Sequence, residues 1–198
     1  MQTAMADEQP IWAYMLSSAA AAKAIDVAWQ AWLAKRKRKT AASDAIHAAM
    51  GIYTAMKLVP ADQCQRIVVF KAHNGGKALD ARSHKYSSIL YEDVRAPFES
   101  ILQEYQGWLM DSQYLEMLQE VVNKGHATIH TNTMPDGKLK DLYEASGVTL
   151  SQVVYLGEDG TNIFYMSFAS CNDIERYNAV TRNAMDICTN KIKKHLCG

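Results

Sequence analysis

The stretch from Arg66 to Tyr91, RIVVFKAHNGGKALDARSHKYSSILY, constrains this chain more than any other. Ile67, Val68, Val69 and Phe70 form a β-branched and aromatic run with the texture of a buried strand. Asn74, Gly75 and Gly76 supply the positive-φ positions that a chain reversal needs, and a short polar loop then leads into a second strand ending at Tyr91. A hairpin of this kind commits the chain to a sheet. A second hairpin lies in GVTLSQVVYLGEDGTNIFYMSFA, with strands over Val148 to Leu156 and Asn162 to Ala169 and a tight reversal at Gly157-Glu158-Asp159-Gly160.

Helical spacing accounts for most of the remainder. Thr40 to Leu58 reads as a helix, with Ser43 as N-cap, Ile46, Ala49, Tyr53 and Met56 on one face, and Pro60 as its stop. Phe98 to Tyr105 and Asp111 to Asn123 also read as helical, the latter closed by Gly125. His126 to Thr131 is a strand and Lys138 to Ser146 a short helix. Asn172 with Glu175 resembles a capping box opening a last helix, Asp173 to Leu196.

Ahead of all this lies a long apolar helix, Ile11 to Ala34, whose Trp12 and Trp32 sit roughly 30 Å apart along a helix axis. That length, and the flanking Lys35, Arg36, Lys37, Arg38 and Lys39, match a membrane span with a positive-inside flank. Lys23 and Asp26 near its centre argue for a packing or oligomerisation helix instead, and both readings stand at this stage. The domain division is therefore 1–39 for this helix and its basic flank, and 40–198 for a globular domain.

The formal net charge is zero, yet acidic residues outnumber basic ones between Thr40 and Asn190 and the ends are basic. Lys35 to Lys39 together with Lys191, Lys193 and Lys194 are candidate contacts to an anionic surface. Cys64, Cys171, Cys188 and Cys197 form no CxxC pair, and no cleavable signal precedes them. They read as reduced thiols in a cytoplasmic-facing domain, with a Cys188 to Cys197 disulfide open on spacing.

The order helix, strand, strand, helix, strand, short helix, strand, strand, long helix resembles the GAF fold of small sensor domains. The residues behind the resemblance are RIVVFKAHNGG, the GVTLSQVVYLGEDGTNIFYMSFA pair and the two flanking helices. The cyclic-nucleotide signature of that family and its chromophore cysteine are missing. The resemblance implies an α+β domain with a mostly antiparallel central sheet of about five or six strands. It also implies first and last helices packed antiparallel behind the sheet, which would gather both basic clusters at one pole. GAF domains act as ligand-binding or dimerising modules, and no output domain follows before Gly198. Their pocket would here be lined by His73, Asn74, Tyr86, Tyr91 and Tyr165.

Motifs for catalysis are missing: no Walker loop, no GxGxxG, no HExxH and no hydrolase elbow. His126 and His130 are too far apart on a straight strand to share a zinc ion unaided. Ser87, Ser88, Glu92 and Asp93 cluster near a strand end without a base of defined geometry. The basic run lacks stacking aromatics and a groove-reading motif, which argues against nucleic acid as partner. No cofactor, metal or catalytic residue is expected. The leading expectation is a non-catalytic GAF-like module that forms a homo-oligomer through its helices, tethered to a membrane by Ile11 to Ala34. The alternatives are a structural component of a phage particle or membrane-associated complex, and a small-molecule sensor.

Overall fold

The computed structural model describes Lys23, Asp26, Val27 and residues 29–31, 42–75 and 84–197. Its backbone divides into two compact units, Met1–His47 and Ala48–Gly198. In the first, the described residues are helical and exposed. Most of the expected apolar helix Ile11 to Ala34, and all of Lys35 to Lys39, lie outside the described residues. Among the described residues no helix is long and apolar enough to cross a membrane. Helical backbone runs through residues 42–56, so Ser43 stands inside this helix and is not its cap. Residues 48–56, in the second unit, are called α1.

The second unit is built from strands β1 (Arg66–His73), β2 (Tyr86–Val94), β3 (Trp108–Leu109), β4 (His126–His130), β5 (Leu150–Glu158) and β6 (Ile163–Ser170). Helices α2 (Ser112–Lys124), α3 (Lys138–Ala145) and α4 (Ala179–Leu196) complete it. The strands form one sheet in the order β3-β2-β1-β6-β5-β4, and every neighbouring pair is antiparallel. β1 and β6 are central and buried on both faces, which is why their sequences are nearly continuous in apolar residues where a half-exposed strand would alternate. Ile67, Val69, Met166 and Phe168 point into one core with Ile52, Met56, Met185 and Ile192 of α1 and α4. Val68, Phe70 and Tyr165 point into a second core with Tyr114, Leu118 and Val121 of α2 and Leu139 of α3. The chain leaves the sheet at β3 on one edge and re-enters at β4 on the other, so α2 crosses the second face and covers it.

The two helices on the first face run antiparallel. Gly51 of α1 lies against the His195 ring at the end of α4, where any side chain would collide. Beyond the other end of α1, Asn178 N, at the start of α4, donates to Gln63 Oε1 at 2.9 Å.

Three local expectations are corrected. Phe98 to Tyr105 is a series of turns, because Ile101 N donates to Glu92 Oε1 at 3.1 Å and Leu102 N to Ser100 Oγ at 3.2 Å, diverting amides that a helix would need. The last helix starts at Ala179 and not Asp173. Asn172 is held elsewhere, through its Nδ2 to Asp62 O at 2.8 Å, and the actual cap is Asn178, whose Oδ1 accepts from Thr181 N at 2.8 Å. The last reversal falls on Asp159 to Asn162, after a bulge between Tyr155 and Gly157 carries β5 on through Glu158. The two-residue strand β3, paired with Tyr86 and Ser87, has too short a period to be read in sequence.

Asn178→Ala is expected to cost about 1 kcal/mol of unfolding free energy as the loss of a cap, while Glu175→Ala stays within about 0.5 kcal/mol. Urea denaturation of the two variants checks this, and equal losses would restore the earlier helix start.

Candidate functional site

The face of the sheet under α2 and α3 is where a hollow would form, and aromatic side chains fill it. Phe70 stacks on Tyr165 with ring centroids 5.0 Å apart, and Tyr105 meets the edges of both Phe70 and Trp108 at 5.8 and 4.8 Å. Three buried hydroxyls close a triangle: Tyr165 to Ser87 at 2.7 Å, Tyr165 to Tyr114 at 2.7 Å and Ser87 to Tyr114 at 3.4 Å. Burial raises the Tyr114 phenol above its ordinary value and the Tyr165 phenol well above it, so both stay neutral and act as mutual donors and acceptors. The voids left among these rings measure about 20 and 30 Å³. That is room for a water molecule and not for an organic ligand.

The five residues picked from sequence for a ligand do not converge. Tyr165 belongs to the aromatic core just described, while Tyr91 lies on the opposite face of the sheet against the Tyr53 ring at 5.8 Å. His73 and Tyr86 face each other at the end of the first hairpin with ring centroids 6.0 Å apart. Asn74 follows, its Oδ1 buried without a hydrogen-bond partner. Lys191, Lys193 and Lys194 lie toward the end of α4, where Lys193 and Lys194 also complement the helix dipole. Their proposed companions Lys35 to Lys39 lie outside the described residues.

His73 and Ser88 sit 2.9 Å apart, Nε2 to Oγ, but they are wired against nucleophilic catalysis. His73 Nδ1 accepts from Gly75 N at 3.0 Å, which assigns the ring proton to Nε2. The imidazole therefore donates to Ser88 Oγ and has no lone pair left to take the serine proton. Ser88 Oγ also accepts from Gly107 N at 2.8 Å, so it ties the hairpin to the segment entering β3. Burial, with the neighbouring Lys71 and His84 charges, holds the His73 pKa below its ordinary value and favours this neutral form.

The cysteines are free, and burial pushes the Cys64 and Cys188 thiols up to about 12, far from a reactive thiolate. Among the described residues no group of His, Cys, Asp and Glu is arranged to hold a metal ion.

The structure brings out a site that sequence reasoning missed. Arg66, the first residue of β1, is 3% exposed. Its Nη2 donates to Glu99 O at 2.7 Å and its Nε lies 3.6 Å from Glu92 Oε1, while Nε and Nη1 have no hydrogen-bond acceptor. Glu92 is itself committed to Ser100 Oγ and Ile101 N. Beside Arg66 opens a cleft of about 510 Å³ between the turns from Pro97 to Glu104 and the end of α3. A ligand-sized cleft floored by a buried donor that lacks acceptors has the composition of a binding site. In sequence Arg66 is only a charge preceding an apolar strand, and the surface that buries it comes from residues 92–104 and 142–147.

No protein-family model and no curated protein matches the chain. Solved structures share its architecture, two of them as follows. The GAF domain of a two-component sensor histidine kinase from Bacillus halodurans superposes with a TM-score of 0.53 at 8% identity, covering 76% of this chain and 91% of that one. The cyanobacteriochrome TePixJ GAF domain superposes with a TM-score of 0.50 at 13% identity, covering 78% and 88%. The fold is GAF-like, and at these identities the likeness is one of fold.

Two measurements test this description. Tyr165→Phe removes the shared hydroxyl and is expected to destabilise the domain by about 1–3 kcal/mol in urea titration, since Ser87 and Tyr114 then lose their common partner. On acidification the unfolded chain protonates His73 before the folded one does, so its contribution is full above about pH 6.5 and is lost as pH falls toward the lower folded pKa. His73→Gln should therefore lose less stability than the parent between about pH 7 and pH 5, and parallel losses would remove His73 from the account.

Proposed function

We propose that this GAF-like chain is a non-catalytic module that associates with a second copy of itself through α1 and α4. The observation that carries the reading is an exposed apolar surface on those two helices. Val180 is 72% and Ile187 44% exposed, seven residues apart on one side of α4, and Met50 and Tyr53 are exposed on α1. Two adjacent antiparallel helices bearing such residues present a patch that a two-fold axis can match with itself. A formal net charge of zero lets two copies approach without long-range repulsion. The committed hydrogen bonds of His73 and Ser88 and the raised thiols support a non-catalytic role.

The same surface would serve a larger assembly, and tethering by Ile11 to Ala34 at an anionic membrane rests on the sequence pattern alone. Light scattering is expected to give a dimer for the full chain, and Val180→Glu with Ile187→Glu a monomer with an unchanged cooperative melt. A monomeric parent would remove the reading, and a higher oligomer abolished by the same substitutions would favour the assembly role.

A second reading, small-molecule sensing, is favoured by the Arg66 cleft. The central hollow under α2 and α3 is filled by aromatic rings, so a ligand would bind between the Pro97 to Glu104 turns and α3.

A further inference from the structure

We propose that the cleft beside Arg66 binds a free α-amino acid, its carboxylate inward against the guanidinium and its ammonium outward at Glu99 and Glu104. The proposal rests on the small-molecule reading above and specifies its ligand class.

At its inner end the cleft lacks hydrogen-bond acceptors for Arg66. A buried guanidinium with donors left over is costly unless an acceptor arrives, and a carboxylate is the acceptor whose geometry matches its fork. The cleft meets a small void of about 30 Å³ across Arg66, Ile101 and Ser146, residues that line both. Arg66 lines that void as well as the cleft, and its Nε and Nη1 are donors without a hydrogen-bond acceptor, which a carboxylate bound in the cleft would supply. Glu92 does not fill this role as it stands, because its Oε1 lies 3.6 Å from Arg66 Nε, beyond hydrogen-bond distance, and is turned to Ile101 N.

The outer wall of the cleft adds a demand of charge balance. One guanidinium faces Glu92 within, and Glu99 and Glu104 at the cleft wall. An inorganic anion would meet three carboxylates for one cation, and repulsion would oppose it. A simple amine would leave the Arg66 donors as they are. A zwitterion answers both demands, with one carboxylate for Arg66 and one ammonium for the exposed glutamates. Phe98, Ile101 and Leu142 complete the lining and suit an apolar side chain.

Calorimetric titration of the full chain with L-leucine, L-methionine and L-phenylalanine, each beside its methyl ester and N-acetyl form, and with inorganic phosphate tests this directly. At least one free amino acid is expected to bind saturably, with both blocked forms weaker by about tenfold or more, since each loses one charge-assisted contact. Glu99→Gln with Glu104→Gln should weaken the free amino acid by about tenfold and bring it level with its N-acetyl form. Both side chains are on the surface, so the melting temperature should not move, which guards against an Arg66 variant that fails to fold. Equal binding of the N-acetyl form, or phosphate binding more tightly, would overturn the amino-acid assignment while leaving a ligand site at Arg66. Binding of none of these compounds, with Arg66→Lys as stable as the parent, would overturn the small-molecule reading with it. The oligomeric state is decided separately by light scattering.

Discussion

The domain depends on burying two central strands from both sides. β1 and β6 carry apolar residues to each face, so neither face of the sheet can be left to water. At about 25 cal/mol per Å² of apolar surface removed from water, each covering layer contributes much of what offsets the entropy of ordering the chain. This requirement accounts for α1 and α4 on one face and for α2 crossing from one edge of the sheet to the other on the second. It also sets the pairing of β1 with β6, strands about a hundred residues apart in sequence, as the contact that closes the domain.

The two faces meet the requirement differently. The face under α1 and α4 is filled mainly by aliphatic, Met and Phe side chains, which set no demand beyond shape. The face under α2 and α3 includes tyrosine hydroxyls, and these are accommodated because Ser87, Tyr114 and Tyr165 satisfy one another. The rings on that face leave water-sized voids among themselves, and a ligand-sized opening lies to the side, where Arg66 meets the turns after β2. Arg66 is held there by one carbonyl and one carboxylate, which is fewer acceptors than its five N–H groups can use.

How far the site was legible follows from the alternation of a strand. His73, Tyr86, Tyr91 and Tyr165 are all conspicuous in sequence, and both hairpins that carry them were readable from β-branched runs and reversal residues. Assigning them to one pocket required knowing which face each strand presents. Tyr91 and Tyr165 fall on opposite faces, and the irregularity in pairing between Val69 and Phe70 is the kind of one-residue shift that sequence does not announce. The Ser88 and His73 pair looks like catalytic material until the Gly75 amide is seen to occupy the imidazole's lone pair.

What the sequence determined by itself was the inventory: strand texture in β1, β2, β5 and β6, helical spacing in α2 and α4, the αL stop at Gly125 and the mostly antiparallel GAF-like order. These are local properties, set by side-chain period and backbone preference within about ten residues. Competition for hydrogen bonds over longer distances decided the rest. Glu92 drew the amide of Ile101 out of an expected helix, Asp62 held Asn172 away from a cap, and the turns after β2 sealed Arg66 with donors to spare. Only the tertiary structure could settle these, because in each case the competing partner comes from a different element of the fold.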